Sequence, residues 1–133
     1  MLEGIGKRCF GPRKNAAIIE ASKAFAKELM KKYNIPTAKS ATFDNYGDAL
    51  EYVRAQGAPI VLKADGLALG KGVLICKTLK EAEEGLKEIM LDRAFGKAGE
   101  KIVIEECMRG LKYDPGEEVS VLAFTDGKTI VPM

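Results

Sequence analysis

The amino-acid sequence predicts an α+β fold in which helices cover one face of a mainly antiparallel sheet. Two observations favour this class. Apolar runs typical of strands outnumber the helical segments, and the two kinds of segment do not alternate strictly, as they would around a parallel sheet. A length of 133 residues is enough to bury one ordinary core.

Apolar spacing predicts three helical segments. The first runs through residues 14–33, where Ser22 is an alternative N-cap that would divide it into two helices. The second ends at Gly57, a C-cap residue, and the third begins with a capping box formed by Thr78 and Glu81. Apolar residues recur at helical spacing in all three segments, and in the third they supply the buried face of the helix. They are Ile18, Ala21, Phe25, Leu29 and Tyr33, then Ala49, Leu50, Tyr52 and Val53, then Leu79, Ala82, Leu86, Ile89 and Met90.

Short apolar runs bounded by turn residues predict the strands. The pair Asp126-Gly127 is a hairpin turn signal between the last two of them. The final run "TIVPM" stops in the middle of an apolar element, so we expect that the sequence is cut short. The predicted strands lie within residues 40–43, 59–64, 72–76, 101–106, 117–124 and 128–133.

Composition excludes several classes of function. The 21 basic and 19 acidic side chains are spread along the chain, which leaves a formal net charge of +2 and no concentrated basic face for nucleic acid. No apolar run approaches the roughly 20 residues of a membrane span, and the N-terminal residues lack the apolar core of a signal peptide. We therefore expect a cytoplasmic protein with neither a nucleic-acid nor a membrane partner.

Histidine is absent, which removes the commonest general base and most zinc sites. Cys9, Cys76 and Cys107 are far apart and form no Cys-x-x-Cys motif, so we expect reduced, buried thiols. Any chemistry at a site therefore depends on lysines, carboxylates and backbone groups.

The segment "KADGLALGKGV", residues 63–73, places three glycines and two lysines between two predicted strands. It has the spacing neither of a P-loop nor of G-x-G-x-x-G. Two interpretations stay open. The segment is either a hairpin loop whose backbone amides form a concavity for anionic oxygens, or a hairpin loop with incidental lysines.

Charged side chains also stand at strand ends. Alternation places the ammonium of Lys63 on the same strand face as a valine, where an incidental lysine is not expected. Glu105 and Glu106 end one strand, and Glu117 and Glu118 begin another. Carboxylates therefore cluster where two strands meet, although protection of a sheet edge by charge explains the same pattern.

Four segments together resemble the phosphoribosylamine–glycine ligases, also called glycinamide ribonucleotide synthetases, which are ATP-grasp enzymes of purine synthesis. The resemblance runs in order through nearly all of the chain. It rests on "SKAFAKELMKKYNIPT", "PIVLKADGLALGKGV", "IVIEE" and "GEEVSVLAFTDGKTIVPM".

The resemblance implies an ATP-grasp lid subdomain with flanking partial segments. Residues 1–35 would be the end of a preceding domain with its linker helices, residues 36–106 the lid, and residues 107–133 the start of the ATP-grasp core. In this family a glycine-rich hairpin loop of the lid closes over the triphosphate of ATP, and residues 65–72 match that loop.

An ATP site follows from the same resemblance. It implies that Lys23 and Lys63 contact phosphate oxygens and that Glu118 holds the ribose hydroxyls. The loop contributes Asp65, Gly66, Gly70, Lys71 and Gly72, and an adenine-facing hinge, acting largely through backbone groups, contains Glu105, Glu106 and Met108. No catalytic residue is assigned within the chain, and the magnesium ligands are expected outside it.

The implied reaction joins glycine to 5-phosphoribosylamine through an acyl phosphate of glycine and converts ATP to ADP and phosphate. As a piece of such an enzyme, the chain itself is expected to be inactive. The alternatives are a stand-alone nucleotide-binding module and another ATP-grasp carboxylate–amine ligase, such as a carboxylase subunit.

Two features depart from the family pattern. Leu69 stands in the loop where the family usually has alanine, and residues 109–115 lie between the hinge and "GEEVS", where the family usually has only a couple of residues.

Overall fold

A computed structural model describes residues 3–66, 72–108 and 119–133. In those parts of the chain it has two short 3₁₀ helices, Glu3–Ile5 and Gly96–Glu100, besides the main elements. The α+β class is confirmed. The helices are α1 (Lys14–Ala21), α2 (Lys23–Lys32), α3 (Tyr46–Gln56) and α4 (Leu79–Met90), and the strands are β1 (Ser40–Phe43), β2 (Ile60–Ala64), β3 (Val73–Cys76), β4 (Ile102–Glu106), β5 (Ala123–Thr125) and β6 (Ile130–Pro132).

Four strands form one antiparallel sheet in the order β1-β4-β2-β3. Helices α3 and α4 pack together on one face of this sheet, as predicted, and β5 pairs with β6 in a separate hairpin. The largest side chains buried between the sheet and these two helices are Val53, Leu62, Leu86, Ile89, Ile102 and Ile104.

Helix α2 contacts β4 on the opposite face of the sheet. Because side chains alternate along a strand, Val103 and Glu105 lie on the face opposite to Ile102 and Ile104. Val103 is fully buried although it lies outside the main core cluster, and Glu105 is paired there with Lys27 of α2. The paired charged side chains of Glu105 and Lys27 therefore lie on the face of the sheet away from the main core.

The predicted helix caps, the Thr78–Glu81 capping box and the C-cap at Gly57, are confirmed. The hydroxyl of Thr78 accepts the backbone amide of Glu81 at 3.2 Å, and the Glu81 carboxylate accepts the amide of Lys77 at 2.8 Å, one residue before the cap. Gly57 ends α3 with a φ of +75°, in the left-handed region that favours glycine. Backbone hydrogen bonds from residues 129 and 128 stabilise the charged carboxylate of Asp126 in the last turn and lower its pKa.

The first helical segment is two helices, and the predicted burial of Leu79 in α4 is wrong. The alternative break at Ser22 is the correct one, since its hydroxyl accepts the amide of Phe25 at 3.1 Å and begins a second helix. Ile18, Phe25 and Tyr33 are exposed, because α1 packs on α2 while α2 turns its small residue Ala24 inward. Leu79 is also exposed, since it lies in the first turn of α4.

The strand predicted over residues 117–124 is also shorter than expected. Residues 117 and 118 lie outside the described part of the chain, and residues 119–122 are not in a strand. Pairing with β6 begins at Ala123, opposite Pro132.

Of the three cysteines, only Cys76 is buried; Cys9 is exposed and Cys107 is half-buried. The prediction of three buried thiols is therefore wrong for two of them. Burial, assisted by the nearby negative charge of Glu81, raises the pKa of the Cys76 thiol. No helix in the described part of the chain combines the length and apolarity needed to cross a membrane.

We expect Cys76 to resist thiol reagents at neutral pH in the native protein, because it is buried and its reactive thiolate form is disfavoured. Cys9 should react quickly. Titration with a chromogenic disulfide reagent checks this, with Cys76→Ser and Cys9→Ser variants identifying the slow and fast phases. A slow phase of unchanged amplitude in Cys76→Ser would contradict the assignment.

Candidate functional site

A buried carboxylate flanked by two lysines stands at the end of β4. The Glu105 Oε2 atom lies 2.8 Å from Nζ of Lys63, on β2, and its Oε1 atom lies 3.2 Å from Nζ of Lys27, on α2. Nζ of Lys27 also donates to the hydroxyl of Thr37 at 2.7 Å and to the carbonyl of Ala38 at 3.0 Å. The three elements are therefore joined on the face of the sheet away from α3 and α4.

Lys23 is the first residue of α2, and its ammonium reaches the base of the glycine-rich segment. Its Nζ donates to the carbonyl oxygens of Ala64 and Gly66, both at 2.9 Å. Two lysines predicted to contact phosphate thus approach the same place: Lys63 adjoins Ala64 in β2, and Lys23 contacts the residues that follow Lys63.

Asp65 connects the glycine-rich segment to the start of α2. Its carboxylate accepts the Ser22 hydroxyl at 3.1 and 3.2 Å and the backbone amide of Ala24 at 3.0 Å. A carboxylate at a helix N-terminus satisfies an otherwise unpaired amide and interacts favourably with the helix dipole. In the structure, Asp65 therefore fixes the position of α2, and of Lys23 with it.

Replacing Asp65 with alanine is expected to lower the free energy of unfolding by about 1–2 kcal/mol, the usual cost of losing a helix cap. Urea unfolding followed by circular dichroism measures the change. Asp44→Ala is the matched control, since Asp44 is an exposed aspartate in the chain between β1 and α3. Equal stability losses in the two variants would show that the bonds to α2 contribute nothing.

The backbone at both ends of the glycine-rich segment is fixed. The amide of Ala64 donates to the carbonyl of Gly72 at 2.8 Å, and the amide of Asp65 donates to the carbonyl of Lys101 at 2.9 Å. Gly66 has a φ of +102°, which disfavours any residue with a side chain. Five positions named from the sequence lie outside the described residues, as does the insertion 109–115: Leu69, Gly70, Lys71, Glu117 and Glu118.

The predicted hinge residues Glu106 and Met108 differ in their contacts: Glu106 is hydrogen-bonded to a neighbouring strand, whereas Met108 is exposed. Glu106 is tied to the start of β1, since its carboxylate accepts the amide of Lys39 at 2.8 Å and its own amide donates to the carbonyl of Lys39 at 2.9 Å. Met108 is exposed. A cavity of about 230 Å³ lies beside Glu105 and Glu106 and is also lined by Tyr52.

Sequence reasoning missed Lys27 and Ser22 as members of this site. A signal for Lys27 was present, because Lys23 and Lys27 stand four residues apart and therefore share one face of a helix. Over residues 3–66, 72–108 and 119–133, no group of three or more cysteine or carboxylate side chains could hold a metal ion.

The chain has the ATP-grasp fold. The solved D-alanine–D-alanine ligase from Helicobacter pylori shares it at a TM-score of 0.67 and 22% identity, with 98% of this chain and 37% of that chain covered. The biotin carboxylase domain of 2-oxoglutarate carboxylase from Hydrogenobacter thermophilus, solved with MgADP, has a TM-score of 0.64 at 24% identity, with 81% and 24% covered.

Residues 21–133 match the family described as "Phosphoribosylglycinamide synthetase, ATP-grasp (A) domain", and the chain belongs to that family. Phosphoribosylamine–glycine ligase from Listeria monocytogenes is 49% identical over 132 residues, which are 99% of this chain and 30% of that protein. The enzyme of the same name from Streptococcus pyogenes is 52% identical over 122 residues, 92% of this chain and 28% of that protein.

A solved phosphoribosylamine–glycine ligase from Thermotoga maritima has a TM-score of 0.77 at 34% identity and covers 92% of this chain and 30% of that one. The chain therefore spans about 30% of the length of a curated relative that it matches. The family resemblance stated from the sequence is confirmed.

Proposed function

We propose that this chain is the ATP-binding part of a cytoplasmic phosphoribosylamine–glycine ligase of de novo purine biosynthesis. One observation in the structure carries the proposal. Lys23 and Lys63 come from two elements distant in sequence, yet both adjoin the start of the glycine-rich segment. Two compact positive charges beside a glycine-rich backbone suit the phosphates of a nucleotide.

In the proposed reaction, a carboxylate oxygen of glycine attacks the γ-phosphorus of ATP, and ADP leaves. The amine of 5-phosphoribosylamine then attacks the carbonyl carbon of the glycyl phosphate, phosphate leaves with the bonding electrons, and the nitrogen loses a proton. Such chemistry depends mainly on positioning and on neutralising phosphate charge, so a chain without histidine is suited to it. Magnesium, with its ligands outside this chain, would supply further charge neutralisation when bound.

Lys23 and Lys63 would contact the phosphates in different ways. Lys23 uses two hydrogens on the carbonyls of Ala64 and Gly66, so a third remains for a phosphate oxygen. Lys63 is paired with Glu105 and is partly exposed, so it can exchange that carboxylate for phosphate. Asp65 acts indirectly, by fixing the start of α2.

The remaining residues of the proposed site surround the nucleotide. Backbone groups of the loop cover the phosphates, backbone groups of the hinge face adenine, and a carboxylate holds the ribose. We assign these roles to Gly66, Gly70, Lys71 and Gly72 in the loop, to Glu105, Glu106 and Met108 in the hinge, and to Glu118 at the ribose. We also propose the boundaries 1–35, 36–106 and 107–133 for the preceding segment, the lid and the start of the core.

The test is ADP release by the complete enzyme that contains this chain. With ATP, magnesium, glycine and 5-phosphoribosylamine it should form ADP and glycinamide ribonucleotide in equal amounts, and omission of glycine should stop both. ATP binding without glycine-dependent ADP release would favour a stand-alone nucleotide-binding module. ADP release that requires a different carboxylate would identify another ATP-grasp ligase.

We expect the 133-residue chain alone to release no ADP under the same conditions, because the proposed glycine, phosphoribosylamine and magnesium sites lie outside it. Turnover by the purified chain, scaling with its concentration, would contradict this expectation.

A further inference from the structure

We propose that Lys27 is a positioning residue that keeps Lys63 available for the phosphates of ATP. It does so by remaining paired with the Glu105 carboxylate when Lys63 leaves it. The inference rests on the proposed function, since it concerns the same nucleotide site, but it assigns a role to a lysine that the ATP site itself does not use.

The Glu105 carboxylate divides its two oxygens between two lysines. Oε2 pairs with Lys63 at 2.8 Å and Oε1 pairs with Lys27 at 3.2 Å. Glu105 is the one buried charged residue in the part of the chain that the structure describes. A buried carboxylate requires a counter-charge or hydrogen-bond donors, because removing it from water without them is costly.

The two lysines differ in their freedom to move. Lys27 places its three hydrogens among Glu105, Thr37 and Ala38, and its side chain is only 10% exposed. The side chain of Lys63 is 28% exposed and lies beside the glycine-rich segment. Lys63 is therefore the lysine that can leave Glu105 for a phosphate, while Lys27 cannot do so without losing its other bonds.

Because Lys27 stays in place, Lys63 can move to phosphate without leaving the Glu105 carboxylate unpaired. When Lys63 turns to phosphate, Lys27 remains as the counter-charge of the buried Glu105 carboxylate. Without Lys27, the same movement would leave that carboxylate with no positive partner, and ATP would have to overcome the loss. Removing Lys27 should therefore weaken ATP binding although Lys27 does not contact ATP.

A purely structural role for Lys27 makes a different prediction. Lys27 also ties α2 to the chain at Thr37 and Ala38, so its loss could lower stability alone. In that case a second change at Glu105 would add to the damage. If Lys27 acts through Glu105, removing the charge of Glu105 should instead restore ATP binding.

The experiment measures the dissociation constant of a non-hydrolysable ATP analogue by calorimetry, with magnesium, on the complete enzyme. Lys27→Met should raise this constant about tenfold, the loss expected of a charge-assisted contact at the low end of its range. Lys31→Met is the matched control, because Lys31 is an exposed lysine one turn later in α2, and it should bind like wild type. Lys27→Arg, which keeps the charge, should recover most of the affinity.

The second arm is the double variant Lys27→Met with Glu105→Gln, whose affinity should return toward that of the wild type. Affinity unchanged in Lys27→Met, or weaker in the double variant than in the single one, would overturn the proposal. If Lys27→Met does not fold, Lys27→Gln replaces it, since an amide can still donate to Thr37 or Ala38 without carrying charge. Binding of the analogue without ligase activity would refute the proposed reaction and leave this test valid, whereas no binding by wild type would refute both.

Discussion

Replacing Lys63 with alanine in the complete enzyme is expected to lower kcat/KM for ATP roughly 10- to 150-fold, which corresponds to the loss of one charge-assisted contact worth about 1.5–3 kcal/mol. The position of the ammonium gives the reason. It lies at the end of β2, beside the glycine-rich segment, and is only partly exposed. Steady-state rates of ADP release at varied ATP measure the effect.

Lys87→Ala is the control for that measurement, because Lys87 lies on the exposed face of α4, away from the sheet. Both variants remove one positive charge, so a general effect of net charge would appear in both. Matching, near-wild-type rates would mean that the lysine at the end of β2 is incidental to function, as the alternative interpretation of the sequence has it.

Gly99→Ala is expected to lower the free energy of unfolding by about 3 kcal/mol, at the upper end of the usual cost of overpacking. Gly99 is buried in the 3₁₀ helix that follows α4, and a methyl group there would overlap the carbonyl oxygen of Ile89. The obstacle is helix backbone, which cannot rotate away as a side-chain end could. Urea unfolding monitored by circular dichroism gives the value.

Gly4→Ala provides the comparison, because a methyl group at Gly4 meets no atom within 4 Å. Its unfolding midpoint should stay close to that of the wild type. A Gly99→Ala protein as stable as Gly4→Ala would show that the contact between the 3₁₀ helix and α4 is readily relaxed in solution.

Much of the fold could be predicted because its signals are local. The capping residues Thr78 and Glu81 and the C-cap Gly57 each act within a few residues of their own position, and the structure uses all three. The burial of the first helical segment could not be predicted in the same way. Phe25 follows the apolar spacing of that segment yet is exposed, because α2 contacts the rest of the fold through Ala24 and Lys27. Their partners, Asp65 and Glu105, are distant in sequence.

The candidate site was predictable only in part, for a related reason. Lys63 could be singled out because an ammonium is unusual beside a valine in an apolar strand. Lys27 stands among several lysines of one amphipathic helix, and its partner Glu105 is far away in sequence, so its burial appears only in the folded structure. The roles assigned to the individual ATP-site residues remain predictions.

The order of strands in the sheet has a consequence for synthesis of the protein. β4 is the last of the four strands to leave the ribosome, yet it lies in the middle, between β1 and β2. Until residue 106 has emerged, β1 lacks its partner in the sheet and the β2–β3 hairpin exposes the backbone edge that β4 will occupy. Unpaired strand edges template association with other chains. The nascent chain thus passes through an interval of aggregation risk that ends abruptly with the insertion of a single five-residue strand, and this interval is where a holding chaperone would act to greatest effect.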